Sequence, residues 1–335
     1  MGTLRIIHLL LGVGLGCVLF LQSCRNNNRS TTKEDQTEEV QSNTAVSDDA
    51  PLEVGFALSL GRVSLDTLSQ AKAVGIDHIE VSGLSMFVSS DRSFKATDQE
   101  ITEKLTAVKK AADSAGINIW SIHMPFGAQI DLSLIDETQR NEVVAMHQKL
   151  LGFLSILEPE VVLFHPSYYL GLQEREVRKT QLIKSATTLN KDVQNIGATL
   201  VIENMLGPKL LVDENRERPL MRTVEESLEL FSKLPKSIGL AVDTNHILHA
   251  EQLILALGGR LTTLHIADGT GEAENHWFPC DFKGKNDWDK VLAALEQVKY
   301  KGPFMYESSA KELEQYKQCY QELYTNYIKQ LDKAN

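Results

Sequence analysis

From Leu52 to the C-terminus, short runs rich in Val, Ile, Leu and Phe alternate with longer stretches of helical period. The runs at 53–60, 78–82, 117–123, 161–165, 199–203, 238–243, 261–266 and 304–307 predict strands. The stretches at 64–73, 98–115, 137–157, 174–195, 224–234, 250–257, 288–298 and 311–331 predict helices. Thr97 with Glu100 forms a capping-box pattern ahead of the second helix, and Gly116 stops it. Eight apolar runs alternating with helices predict an α/β fold with an all-parallel sheet covered by helices. An open doubly wound sheet would more often carry a Gly-rich phosphate turn after its first strand, and Ser59-Leu60-Gly61-Arg62-Val63 is no such turn. The pattern therefore predicts a closed (β/α)8 barrel, the TIM-barrel architecture.

Six of the runs end in a residue that can hold a metal or move a proton: His123, His165, Glu203, Asp243, His265 and Glu307. A buried apolar run has no use for such an end unless the ends converge on something. In a barrel they converge at the C-terminal rim, where active sites of this architecture lie. Glu203, Asp243, His265 and Glu307 come from four successive strands and form an oxygen-rich set with one imidazole. Such a set suits a hard or borderline divalent ion: manganese, magnesium, cobalt or zinc. A lone residue of this kind is more often a helix cap or a salt-bridge partner. Convergent carboxylates, however, repel one another unless a cation sits between them. His123, His165, His246, Glu274 and His276 fall at strand ends or in the loop after the seventh strand, where such a site would lie. His78, His147 and His249 fit a strand start or a helix surface.

The first residues stand apart from this pattern. Arg5 precedes a run from Ile6 to Leu21 that is apolar apart from His8, and Leu21-Gln22-Ser23-Cys24 follows. That arrangement resembles the bacterial lipobox, which implies a signal peptide over 1–23 and lipidation at Cys24; the alternative is an uncleaved membrane anchor, which so short a run could barely support. The polar tract over 24–51 has almost nothing to bury and predicts a disordered tether. The barrel then spans 52–335. The expected location is the bacterial cell envelope, at the outer membrane on its periplasmic side or surface, with membrane contact only through the lipid.

The formal net charge of −11, with no basic stretch, argues against a nucleic-acid partner. With Cys17 and Cys24 assigned to the signal and lipid site, Cys280 and Cys319 remain. Their spacing indicates neither a zinc site nor a disulfide framework, although a single bridge is open to an exported protein.

These motifs together resemble the xylose isomerase-like barrels, in their sugar phosphate isomerase/epimerase branch. The resemblance rests on Gly75-Ile-Asp-His-Ile-Glu80, Ile-Glu203-Asn, Asp243-Thr-Asn-His246, His265-Ile-Ala-Asp268, Gly284-Lys-Asn-Asp-Trp288 and Tyr-Lys-Gly-Pro-Phe-Met-Tyr-Glu307. It implies that Glu203, Asp243, His265 and Glu307 bind one divalent metal, and that Glu203 and Glu307 pass protons to and from the carbon beside a carbonyl. His123, His165, His246, Glu274 and His276, with the Glu274-x-His276 spacing, also resemble the ligands of endonuclease IV-type AP endonucleases, which hold three zinc ions; the resemblance implies a second metal there or, alternatively, contacts to sugar hydroxyls. The acidic charge, the exported location and the lack of basic loops set DNA repair aside. Phe282-Lys283-Gly284-Lys285 keeps only one of the two glycines usual at the substrate mouth, which argues against a phosphorylated substrate.

The expected function is a divalent-metal-dependent sugar isomerase or epimerase that deprotonates a C–H beside a carbonyl of an unphosphorylated sugar or sugar derivative. A 3-keto-glycoside lyase or a metal-dependent hydrolase on the same barrel is the alternative enzyme. A sugar-binding lipoprotein is the non-enzyme alternative.

Overall fold

The computed structural model describes residues 49–334, so the predicted signal peptide, the lipidation site Cys24 and nearly all of the tether lie outside the described residues. The barrel strands are β1 (Val54–Ser59), β2 (His78–Ser82), β3 (Asn118–His123), β4 (Val161–Phe164), β5 (Thr199–Glu203), β6 (Gly239–Asp243), β7 (Leu261–His265) and β8 (Phe304–Tyr306). The helices are α1 (Leu65–Ala73), α2 (Asp98–Ala115), α3 (Glu137–Leu154), α4 (Arg175–Asn195), α5 (Val224–Lys233), α6 (Ala250–Leu257), α7 (Trp288–Gln297) and α8 (Glu314–Ala334). The strands pair in parallel in the order β8-β1-β2-β3-β4-β5-β6-β7. The ring closes beyond β7, where Ile266 bridges Tyr306: Ile266 N donates to Met305 O at 2.7 Å and Glu307 N to Ile266 O at 3.1 Å. The predicted (β/α)8 barrel is the observed fold.

The capping box at Thr97 and Glu100 forms, and Gly116 ends α2 in the left-handed conformation at φ 68°, where glycine carries no Cβ clash. The helix expected over 137–157 breaks at Leu154 into a 3-10 turn, Ser155–Leu157. The last helix begins at Glu314, because Gln315 Oε1 first accepts from the amides of Lys311 and Glu312 and holds them in a turn. No helix among the described residues is long and apolar enough to cross a membrane.

Strand parity delivers the rim residues. Val161, Leu163, Val201 and Ala241 form a small cluster inside the barrel, while Val162, Phe164, Leu200, Ile202, Leu240 and Val242 pack outward in the main core. Side chains alternate along a strand, so His165, Glu203 and Asp243, each two residues beyond an inward apolar residue, also turn inward. In β3 a bulge sets this phase. Ile79 pairs with Ile119 and Glu80 with Ser121, which leaves Trp120 as an extra residue. Trp120 packs inside the barrel and donates its indole N–H to Thr263 Oγ1 at 3.0 Å; Ser121 also turns inward, and so does His123.

One expectation is corrected, and one left open by the sequence is settled. His147 is not on a helix surface: it is buried on the inner side of α3 with its ring edge-on to Phe164, where Val143, Val144, Leu150 and Leu151 continue the same apolar stripe. Cys280 and Cys319 form a disulfide, which joins the short 3-10 turn Pro279–Asp281 to α8. The pairing depends on two distant segments meeting in the fold, so their spacing of 39 residues gives no sign of it.

Candidate metal centre

All nine site residues expected from the sequence meet at the C-terminal rim. Glu203 ends β5, Asp243 ends β6 and His265 ends β7, while Glu307 lies one residue past β8. Asp243 and His265 are register partners across the β6–β7 ladder. His265 Nδ1 lies 2.8 Å from Glu203 Oε1 and 2.9 Å from Glu307 Oε2. One ligand atom from each of Glu203, Asp243, His265 and Glu307 falls within 4.8 Å of the others.

The donor set fits a divalent ion. Glu203 Oε2, Asp243 Oδ2 and Glu307 Oε2 are buried oxygens that face imidazole nitrogens: His165 Nε2 at 3.2 Å, His246 Nδ1 at 3.1 Å and His265 Nδ1 at 2.9 Å. Three carboxylates with buried oxygens gathered at one point are costly unless a cation lies among them. Imidazolium protons take that part here. Burial alone would raise the Glu203 carboxyl, yet the charges of His265 and the hydrogen bond from His165 hold it well below the usual range. Glu307 is likewise brought down to about 2 against burial, chiefly by His265. His265 is pushed well above its ordinary value: burial opposes this, but Glu307, Glu80 and Glu203 outweigh it. Asp243 rises to about 7, mainly through burial.

Two further groups flank this set. His123, His165 and Glu203 form one, and Asp243, His246 and His276 the other, each again with ligand atoms within 4.8 Å. His165 Nε2 is 3.2 Å from both Glu203 Oε2 and His123 Nε2. His246 Nδ1 is 3.1 Å from Asp243 Oδ2, and its Nε2 is 2.9 Å from Glu274 Oε2. The same Glu274 oxygen lies 3.2 Å from His276 Nε2. Glu203 and Asp243 each belong to two groups, so the three share ligands rather than standing apart.

Sequence reasoning left Glu80 out of the site. It is fully buried in β2, its Oε2 lies 3.0 Å from His265 Nε2, and Ser121 Oγ donates to the same oxygen at 2.7 Å. A carboxylate on the far nitrogen of a ligand imidazole fixes its tautomer and orientation. The available signal was a Glu inside an otherwise apolar run, Ile79-Glu80-Val81. Two asparagines also brace the rim. Asn204 accepts from Asp243 N at 2.8 Å and donates to Asp243 O at 3.1 Å, while Asn245 Oδ1 accepts from the amides of Asn275 and His276.

The segment with the missing glycine has its own anion. The Asp268 carboxylate accepts from the amides of Gly269, Gly284 and Asn286 at 2.9–3.2 Å. A Cβ on Gly284 would fall 1.9 Å from Asp268 Oδ1, so glycine is required there. These amides are already used and are not free for a phosphate. Above the centre lies a cavity of about 370 Å³ whose floor includes His123, His165, His246, His276 and Glu307.

The solved structures similar to this chain include a D-tagatose 3-epimerase-like protein, with TM-score 0.63 and 16% identity, covering 83% of this chain and 98% of that one. They also include the 3-keto-D-glucoside 4-epimerase YcjR of E. coli, with TM-score 0.58 and 14% identity, covering 83% of this chain and all of the other. An uncharacterized protein of Methanocaldococcus jannaschii is 22% identical over 233 residues, 64% of this chain and 88% of its own length. The family model described as xylose isomerase-like TIM barrel matches residues 68–324, most of the barrel. The chain belongs to the xylose isomerase-like TIM barrel family.

Proposed function

We propose that this barrel is a divalent-metal-dependent enzyme that isomerises or epimerises an unphosphorylated sugar or sugar derivative by moving a proton beside a carbonyl. The observation that carries the reading is the convergence of ligand atoms of Glu203, Asp243, His265 and Glu307 to within 4.8 Å of one another. A divalent ion held by these four residues supplies polarisation of a carbonyl and its neighbouring hydroxyl. Glu203 and Glu307 reach the site from β5 and β8, with β6 and β7 between them. One removes the proton from a substrate carbon and the other returns a proton to that carbon, for epimerisation, or to its neighbour, for isomerisation. The likeness to a D-tagatose 3-epimerase-like protein and a 3-keto-D-glucoside 4-epimerase supports a sugar substrate. A lyase acting on a 3-keto-glycoside begins with the same proton removal.

The envelope location belongs to the same proposal, and the Cys280–Cys319 bridge supports it, since such bridges persist in oxidising compartments. The net charge of −11 supports a sugar rather than a nucleic acid as partner.

A metal-dependent hydrolase is the second reading, favoured by the two flanking groups around His165 and His246. One experiment separates the two. Bound metal is counted in the purified protein, which is then incubated with ketoses and keto-glycosides in D2O. Deuterium incorporation that disappears in Glu203→Gln supports proton transfer. Several ions per chain without exchange would favour the hydrolase, and sugar binding without metal or exchange would leave only a binding protein.

A further inference from the structure

The cavity above the carboxylates has two unlike sides. Its floor is imidazole and carboxylate, while its outer wall is Phe126, Tyr168, Tyr169, Met205, Leu206 and Pro219. Among the described residues, no lysine or arginine lines it. Phe126 stacks on His165, with ring centroids 4.0 Å apart and planes 23° from parallel, yet it remains 54% exposed. An aromatic ring left open at the mouth of a polar site gains by being covered.

The wall is held in place by buried charge. Asp131 Oδ2 accepts from Tyr168 N at 2.9 Å and pairs with Arg178 at 3.1 Å. Arg175 donates to Pro219 O at 3.3 Å and to Arg218 O at 2.5 Å, and is itself paired with Glu217 and Glu226. Tyr169 lies under the Arg216 guanidinium at 5.2 Å. The wall is thus preformed, and its size lies within the roughly 300–1,000 Å³ typical of pockets for ligands larger than a fragment.

We infer that this wall is a subsite for the second unit of an uncharged glycoside, an inference that rests on the sugar reading above. The hydroxylated ring that reacts lies over the carboxylates. A C–H-rich face of the attached unit, either another sugar ring or an apolar aglycone, covers Phe126. A free monosaccharide seated at the floor leaves the wall unused, and a sugar phosphate finds no lysine or arginine in the lining. The amides beside Gly284 are already bound to Asp268.

The test is calorimetric titration of the metal-loaded protein with methyl glucoside, phenyl glucoside, cellobiose and glucose 6-phosphate. Phenyl glucoside, cellobiose or both bind about tenfold more tightly than methyl glucoside, the scale of one good aromatic contact. The two arms tell an aglycone from a sugar ring. Phe126→Ala brings that ratio close to one, and Phe126→Leu, which keeps an apolar side chain, guards against a folding defect by retaining part of it. Equal affinity for all three uncharged ligands, or tightest binding of glucose 6-phosphate, overturns the inference. The readout is binding alone. A Phe126-dependent preference without deuterium exchange keeps the subsite and removes the reaction, whereas exchange without the preference does the reverse.

Discussion

Glu80 holds the far side of His265: its Oε2 is 3.0 Å from Nε2, and both residues are fully buried. The contact leaves Nδ1 facing Glu203 and Glu307. Glu80→Gln keeps the shape but removes the charge that fixes the ring, so metal affinity falls about 10- to 100-fold. Titration of the metal-free variant with manganese checks this, and an affinity equal to the parent's would make Glu80 a structural residue only.

Metal affinity should rise with pH. Burial pulls the His246 imidazole down, but Asp243 and Glu274 more than reverse it, to about 10. Glu274 and Asp243 similarly lift His276 to about 9 against burial. Both rings are protonated in the metal-free protein near neutrality, and these protons compete with any cation. The metal-free fold has the opposite dependence. The stability gained from these raised groups is complete below the free histidine value of about 6.5 and is lost as pH rises through 9 to 10. Titrations in buffers of different ionisation enthalpy count the protons released, and zero release would exclude the imidazoles from binding.

His147 gives acid sensitivity. Burial lowers its pKa to about 4, so the folded state keeps the ring neutral where the unfolded chain protonates it. The unfolded state binds more protons between about 6.5 and 4, and stability therefore falls as pH drops through that window. The loss approaches on the order of 3 kcal/mol. Urea unfolding at pH 7.5 and pH 4.5 should show a smaller acid loss for His147→Phe than for the parent, and parallel losses would refute the assignment.

Cys280→Ser removes the bridge that closes a 39-residue span. Loop-closure entropy puts the cost at roughly 3–4 kcal/mol. The melting temperature should fall equally in Cys280→Ser, in Cys319→Ser and in the parent under reductant. No change under reductant would mean that the bridge is absent from the purified protein.

Much of the site was legible because ionisable residues stand out at the ends of apolar runs: His123, Glu203, Asp243 and His265 are such ends. Glu80 was hidden inside its run, where only barrel parity shows that it faces His265. His147 carried a readable signal, since it falls within the stripe of Val143, Val144, Leu150 and Leu151 on one helix face. The Trp120 bulge and the closure of the Cys280–Cys319 bridge were not legible, because each depends on where a distant segment lies. Phe126 and the tyrosines were missed for the same reason: a loop aromatic has no periodic context to mark it.

The barrel's last seam is its thinnest. β7 and β8 are joined through the single bridge of Ile266 to Tyr306, whereas β1 and β2 share five paired positions. His265 and Glu307 stand on the two sides of that seam, 2.9 Å apart at their tips. Any cation they hold rivets the barrel where it is most ready to part. Backbone amides around 264–267 and 304–307 should therefore slow their exchange on metal loading more than amides elsewhere in the ring, a mechanical role written into the same side chains as the chemistry.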